Sequence, residues 1–170
     1  MFLWKSLHGA LPTKQRLLER HLDVVVDCCR CGAAESILHF LFSCPFAQEV
    51  WGLVPYKQAL SCSQVDSVRS GLLLANSLIY LPPTGLSAGP LAPWICWNLW
   101  KARNQRVFNN RCFSANEVML RVLLDAKEWC EAQFTNYFGQ RSQENFTIKR
   151  AYVGVVQGWV TFREVVVGTE

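Results

Sequence analysis

The sequence predicts a mainly α-helical protein: a small metal-stabilised domain first, a longer helical region after it, and at most a short β-hairpin at the C-terminal end. Three observations point there. Apolar residues recur at helical spacing over much of residues 2–52 and 94–138. Thr13, Pro45 and Ser114 stand where helices start. Four cysteines and a histidine crowd into residues 28–44.

Taken in order, residues 2–10 read as a short helix with Phe2, Leu3 and Leu7 on its apolar face and Gly9 near its end. Leu11-Pro12 breaks it, and Thr13 is placed to cap a second helix, KQRLLERHL, with Leu17, Leu18 and Leu22 on one side. Val24–Val26 is a β-branched run and reads as a short extended arm. Residues 34–42 read as a helix, and Pro45 suits the first turn of the next, which stops before Pro55. Residues 63–80 read as a helix, which Gly71 disfavours. PPTGLSAGPLAP (82–93) is a loop or linker. Residues 94–109 and 114–138 read as two longer helices, with Ser114 and Glu117 spaced as a capping box. After Gly139 comes a polar run, and the β-branched residues of 148–167 form a terminal strand or hairpin. The expected division is a zinc-type domain over 1–55, a connecting helix and linker over 56–93, a helical region over 94–138 and a tail over 139–170.

Composition narrows the class. The chain has 170 residues, 51% apolar and 18% charged, as a globular protein does. A net charge of +4 permits contact with nucleic acid without demanding it. The start MFLWKSLHGALPTKQ lacks the basic flank and long apolar run of a secretory signal. That favours an intracellular, reducing setting, nuclear or cytoplasmic, in which eight cysteines are thiols or metal ligands. Residues 70–100 carry no charged side chain, but Pro82, Pro83, Pro90 and Pro93 break them up. No stretch of about 20 apolar residues remains to cross a membrane.

The stretch DCCRCGAAESILHFLFSCPFAQEVW (27–51) carries the chemistry. Cys28-x2-Cys31 lets two thiolates bind one ion from a tight knuckle, and Gly32 follows where the turn favours a positive φ. His39 and Cys44, five residues apart, offer a second pair. Three thiolates and an imidazole around Zn²⁺ sum to a charge of about −1, which Arg30 can moderate. Four ligands leave no open position, so one such zinc ion is structural. Glu35 stands four residues before His39 and can accept the imidazole's free N–H, or it can be an ordinary solvated carboxylate. The competing reading of the cluster is four free cysteines, buried or exposed. Cys29 fits the knuckle less well and is left out; His8 and His21 stand alone.

These residues also carry a resemblance. FLWKSLHGALPTKQRL, CCRCG, Glu35 and HFLFSCPFAQEVW, in that order, resemble the zinc-binding domain found downstream of the reverse transcriptase in plant non-LTR (LINE-type) retrotransposons. The likeness covers residues 1–51. WNLWKARNQRVFNN (97–110) is similar to a Trp- and Arg-rich motif that often follows in such polyproteins. The resemblance implies Cys28, Cys31, His39 and Cys44 as zinc ligands and an association with RNA or DNA. The chain starts inside that family's first helix, and it shows no paired-aspartate polymerase motif or RNase H acidic residues, so a fragment or remnant without polymerase activity is expected.

No phosphate-cradling Gly-rich loop, His-Glu-x-x-His or nucleophile elbow is present. The nucleobase deaminases order their zinc ligands differently, with His-x-Glu ahead of Cys-x-x-Cys. The expectation is therefore no catalysis and no small-molecule substrate. Lys101, Arg103, Arg106 and Arg111, interleaved with Trp94, Trp97, Trp100 and Phe108, are the candidate nucleic-acid contacts. A helical wheel puts Trp97, Trp100, Asn104, Val107 and Phe108 on one face and Arg103 and Arg106 opposite, which an ordinary buried face with a solvated back also explains. A nucleic-acid module and a protein-interaction or vestigial fold are the two functional expectations.

Overall fold

The computed structural model describes residues 1–56, 60–78 and 91–139, with residues 63 and 133–139 described by backbone only. The described residues are mainly helical. Their order is α1 (Phe2–Leu7), α2 (Lys14–Glu19), a π-turn (His39–Ser43), α3 (Pro45–Gly52), a 3₁₀ turn (Cys62–Gln64), α4 (Val68–Ser77), α5 (Ala92–Asn109) and α6 (Ala115–Gly139). The strand or hairpin expected over 148–167, and most of the 82–93 linker, lie outside the described residues.

Local chemistry explains most boundaries. The Thr13 hydroxyl accepts the Arg16 N–H and starts α2. That helix is shorter than its apolar pattern predicts, because His21 takes a left-handed φ of 62° and turns the chain into the extended arm. Pro45 opens α3 in the first turn, where its missing N–H matters least. Ser114 and Glu117 cap α6 reciprocally: the Ser114 N–H donates to Glu117 Oε2 at 2.8 Å, and the Glu117 N–H donates to Ser114 Oγ at 3.3 Å. Asn110, at φ 50°, closes α5.

The helix expected over 34–42 is not one helix. Asp27 and Ala34 form an isolated antiparallel bridge, and the Glu35 N–H donates to the Val26 carbonyl at 2.9 Å. Pairing with the arm keeps 34–36 extended. Helical backbone begins only at residue 37, after Ser36 has accepted the His39 N–H.

The apolar cluster is continuous from Leu11 to Ala126. Helix α5 touches α1, the π-turn, α3, α4 and α6, so the first fifty residues and the 94–138 region share one core. Val118, Val122 and Ala126 recur one turn apart as α6's buried stripe. Trp51 is fully buried, stacks on Phe42 at 5.6 Å and donates its indole N–H to the Leu41 carbonyl at 2.7 Å. Gly71 lets α4 lie close to this layer: a Cβ there would stand 2.7 Å from the Phe42 ring and from Val65 Cγ1.

Helix α5 departs from its predicted wheel. Its buried face includes Ile95, Cys96, Asn98, Leu99, Trp100, Ala102 and Arg103. Phe108 is 73% exposed and Trp97 38%. A helix with neighbours on several sides has no single solvated back, and an arginine can face inward where a buried carboxylate meets it.

Candidate metal centre

The knuckle is built by the backbone. The Gly32 N–H donates to the Cys28 carbonyl at 2.9 Å, and the Cys28 N–H donates to the Ala33 carbonyl at 2.6 Å. Gly32 takes a φ of +77°, with open space where a Cβ would lie, so conformation and not crowding asks for glycine there.

The second pair depends on the π-turn. Residues five apart on an α-helix point about 140° away from each other. The wider turn corrects this. The Cys44 N–H donates to the His39 carbonyl at 2.7 Å, closing an i→i+5 ring between the two donors' own residues. Cys44 then leaves in an extended conformation (φ −63°, ψ 132°), the one favoured by the following Pro45.

One ligand atom from each of Cys28, Cys31, His39 and Cys44 lies within 4.8 Å of all the others. Cys31 Sγ is 3.2 Å from His39 Nε2 and 4.0 Å from Cys44 Sγ. A tetrahedral zinc with Zn–S near 2.3 Å and Zn–N near 2.0–2.1 Å sets S···S at about 3.8 Å and S···N at about 3.6 Å. The donor set and its spacing suit one zinc ion. Cys28, His39 and Cys44 are buried and Cys31 is exposed, so the ion would sit at the edge of the core. Cys29, the spare cysteine, does not join the cluster.

The thiols are already biased toward a cation. The contact with the Cys44 thiol holds Cys28 well below the ordinary thiol range, with backbone donors helping and burial opposing. The same contact, then burial, pushes Cys44 up. The pair therefore parts readily with one proton and keeps the second, which a bound cation would displace. Arg30 lies over the Phe46 ring, 3.4 Å from its centroid, and donates to the Phe113 carbonyl at 2.9 Å. It ties the knuckle to the loop between α5 and α6.

Glu35 does not serve His39. Its carboxylate is fully buried and is taken up by Arg103, whose Nε donates at 3.1 and 3.2 Å and whose second nitrogen also bonds Oε1. The Lys14 N–H adds a third donor at 3.0 Å. The expectation failed because Glu35 sits in the extended segment before the π-turn, where four-residue helical spacing has no meaning.

The candidate nucleic-acid contacts also separate. Arg103 is withdrawn into the core against Glu35 and over the Trp100 ring, so it cannot reach a phosphate. Lys101 pairs with Asp125 at 2.8 Å, beside the Asn98 amide. Arg106 lies against the Cys112 thiol, and Arg111 is exposed. Arg121, 4.2 Å from the Phe113 ring centroid, carries no sequence signal beyond its charge.

Residues 1–51 match the family described as zinc-binding in reverse transcriptase. That segment contains all four clustered donors. No curated protein and no solved structure matches the chain.

Proposed function

We infer that the chain is a non-catalytic module, held together by one structural zinc ion, that associates with RNA or DNA as part of machinery related to reverse transcription. The observation that carries the zinc role is the four-donor cluster: Cys28, Cys31, His39 and Cys44 would fill a tetrahedral ion and leave no position for substrate or water. The ion would do what a larger core does elsewhere, fixing the knuckle and the π-turn against α5. The nucleic-acid role draws on the match of residues 1–51 to a reverse-transcriptase family and on the chain's cationic excess. A second reading, protein contact alone, is favoured by Leu120 and Leu124, both more than half exposed one turn apart on α6.

The test is elemental mass spectrometry of the purified protein, alongside RNA binding over a salt series. One zinc per chain in the wild type, and none in Cys31→Ser with His39→Ala, is the expected result. A folded wild-type chain without zinc refutes the metal role. Affinity for RNA that falls steeply with salt supports the nucleic-acid role, and its absence leaves the protein-contact reading.

A further inference from the structure

Resting on the nucleic-acid reading above, we propose that Arg111 and Arg121, gathered on the Phe113 ring and flanked by Arg30 and Arg106, form the track for the phosphates of a single-stranded nucleic acid, with Phe108 as the ring on which a base stacks. The cluster lies at the corner between α5 and α6 and reaches the knuckle through the hydrogen bond from Arg30 to the Phe113 carbonyl.

The guanidinium carbons of Arg111 and Arg121 stand 4.7 and 4.2 Å from the centroid of the same ring. Stacking on an aromatic face fixes a guanidinium while leaving its in-plane N–H groups pointed at solvent, the geometry that meets a phosphate. Among the described residues none of the four arginines has a carboxylate within ion-pair distance, whereas Arg16, Lys101 and Arg103 are each paired. The nearest acid in sequence, Glu117, spends its carboxylate on the Ser114 N–H and hydroxyl. Glu117 lies near enough to attract Arg111 and Arg121 but pairs with neither, so the four arginines keep a net positive charge that a polyanion would balance while releasing its own counterions. Phe108, 73% exposed three residues before Arg111, supplies the flat apolar face that single strands use and duplexes hide.

The test is fluorescence anisotropy with labelled oligouridylate across a salt series, with duplex RNA as competitor. Wild type is expected to bind the single strand in preference. Arg111→Gln with Arg121→Gln is expected to flatten the log–log salt slope by about 0.7 for each arginine removed. Phe108→Ala should weaken binding and leave the slope unchanged. Lys5→Gln with Arg20→Gln removes the same charge outside the cluster and should change little. Circular dichroism and zinc content identify any variant that has lost its fold. Photo-crosslinking of 4-thiouridine RNA to wild-type protein needs no variant, and its adducts should map to residues 106–121 or to the knuckle around Arg30. Wild-type binding undiminished in the Arg111/Arg121 double variant, equal loss in the control, or adducts elsewhere overturns the site and leaves the nucleic-acid role standing. No binding by the wild type overturns both.

Discussion

Glu35 and Arg103, 68 residues apart in sequence, meet in the core with side-chain exposures of 0% and 8%. The pair joins the knuckle segment to α5. Removing one partner strands a buried charge, so Arg103→Ala or Glu35→Gln should cost about 3–5 kcal/mol in urea unfolding. Arg103→Lys should recover little, because lysine lacks the fork that takes two carboxylate contacts. Replacing both residues by leucine should recover much of the loss. A double variant as unstable as the single ones would show that the pair is not the cause.

Stripping the metal should loosen residues 28–44 first. With free zinc at about 100 times its dissociation constant, the bound ion is worth about 2.7 kcal/mol, and chelation should lower the unfolding midpoint accordingly. Ligation needs a neutral imidazole and three thiolates, so protons compete with the metal. Zinc affinity should fall steadily as pH drops, because each thiolate and the imidazole must shed a proton to bind. A colorimetric zinc-release titration reads this directly.

Gly71→Ala should destabilise the protein, although alanine is the better helix former by about 1 kcal/mol. The new Cβ would meet the Phe42 ring and Val65 at 2.7 Å, and overpacking of that kind costs about 1–3 kcal/mol. Thermal unfolding gives the sign, and a stabilised variant would mean that α4 can shift outward at no cost.

Acid should fray the start of α6. The Ser114 N–H, then its hydroxyl, holds the Glu117 carboxyl below its ordinary 4.5. A lowered native value stabilises the fold above 4.5, and that contribution disappears as pH falls through the native value. Amide hydrogen exchange at residues 114–118 should therefore rise in acid. In Glu117→Gln the acid dependence should be absent, since the amide keeps the shape without the titration.

Features set by neighbours along the chain were legible in the sequence. Thr13, Pro45 and the Ser114–Glu117 box act over three or four residues, and each stands where the sequence placed it. The four clustered donors were likewise legible, because Cys-x-x-Cys followed by His-x4-Cys is a statement about short distances. What the sequence did not disclose was non-local or irregular. Arg103 looked solvated because its charge suggests water, and only the fold brings Glu35 to it. The 34–42 helix failed because the extended arm competes for the same backbone groups. The arginines on Phe113 come from a loop and the α6 helix, and no periodicity links them.

The π-turn between His39 and Cys44 makes segment length a chemical requirement. Relaxing the same residues into regular α-helix, with better hydrogen bonds, would swing its two donors about 140° apart. Local backbone comfort and metal affinity pull in opposite directions over these few positions. A change of side chain inside the turn alters packing; an inserted residue, closed as regular helix, turns the two donors about 120° apart. Residues 22–25 carry no donor to the ion and lie ahead of the Val26–Glu35 pairing, so a gained or lost residue there leaves all four ligands in register.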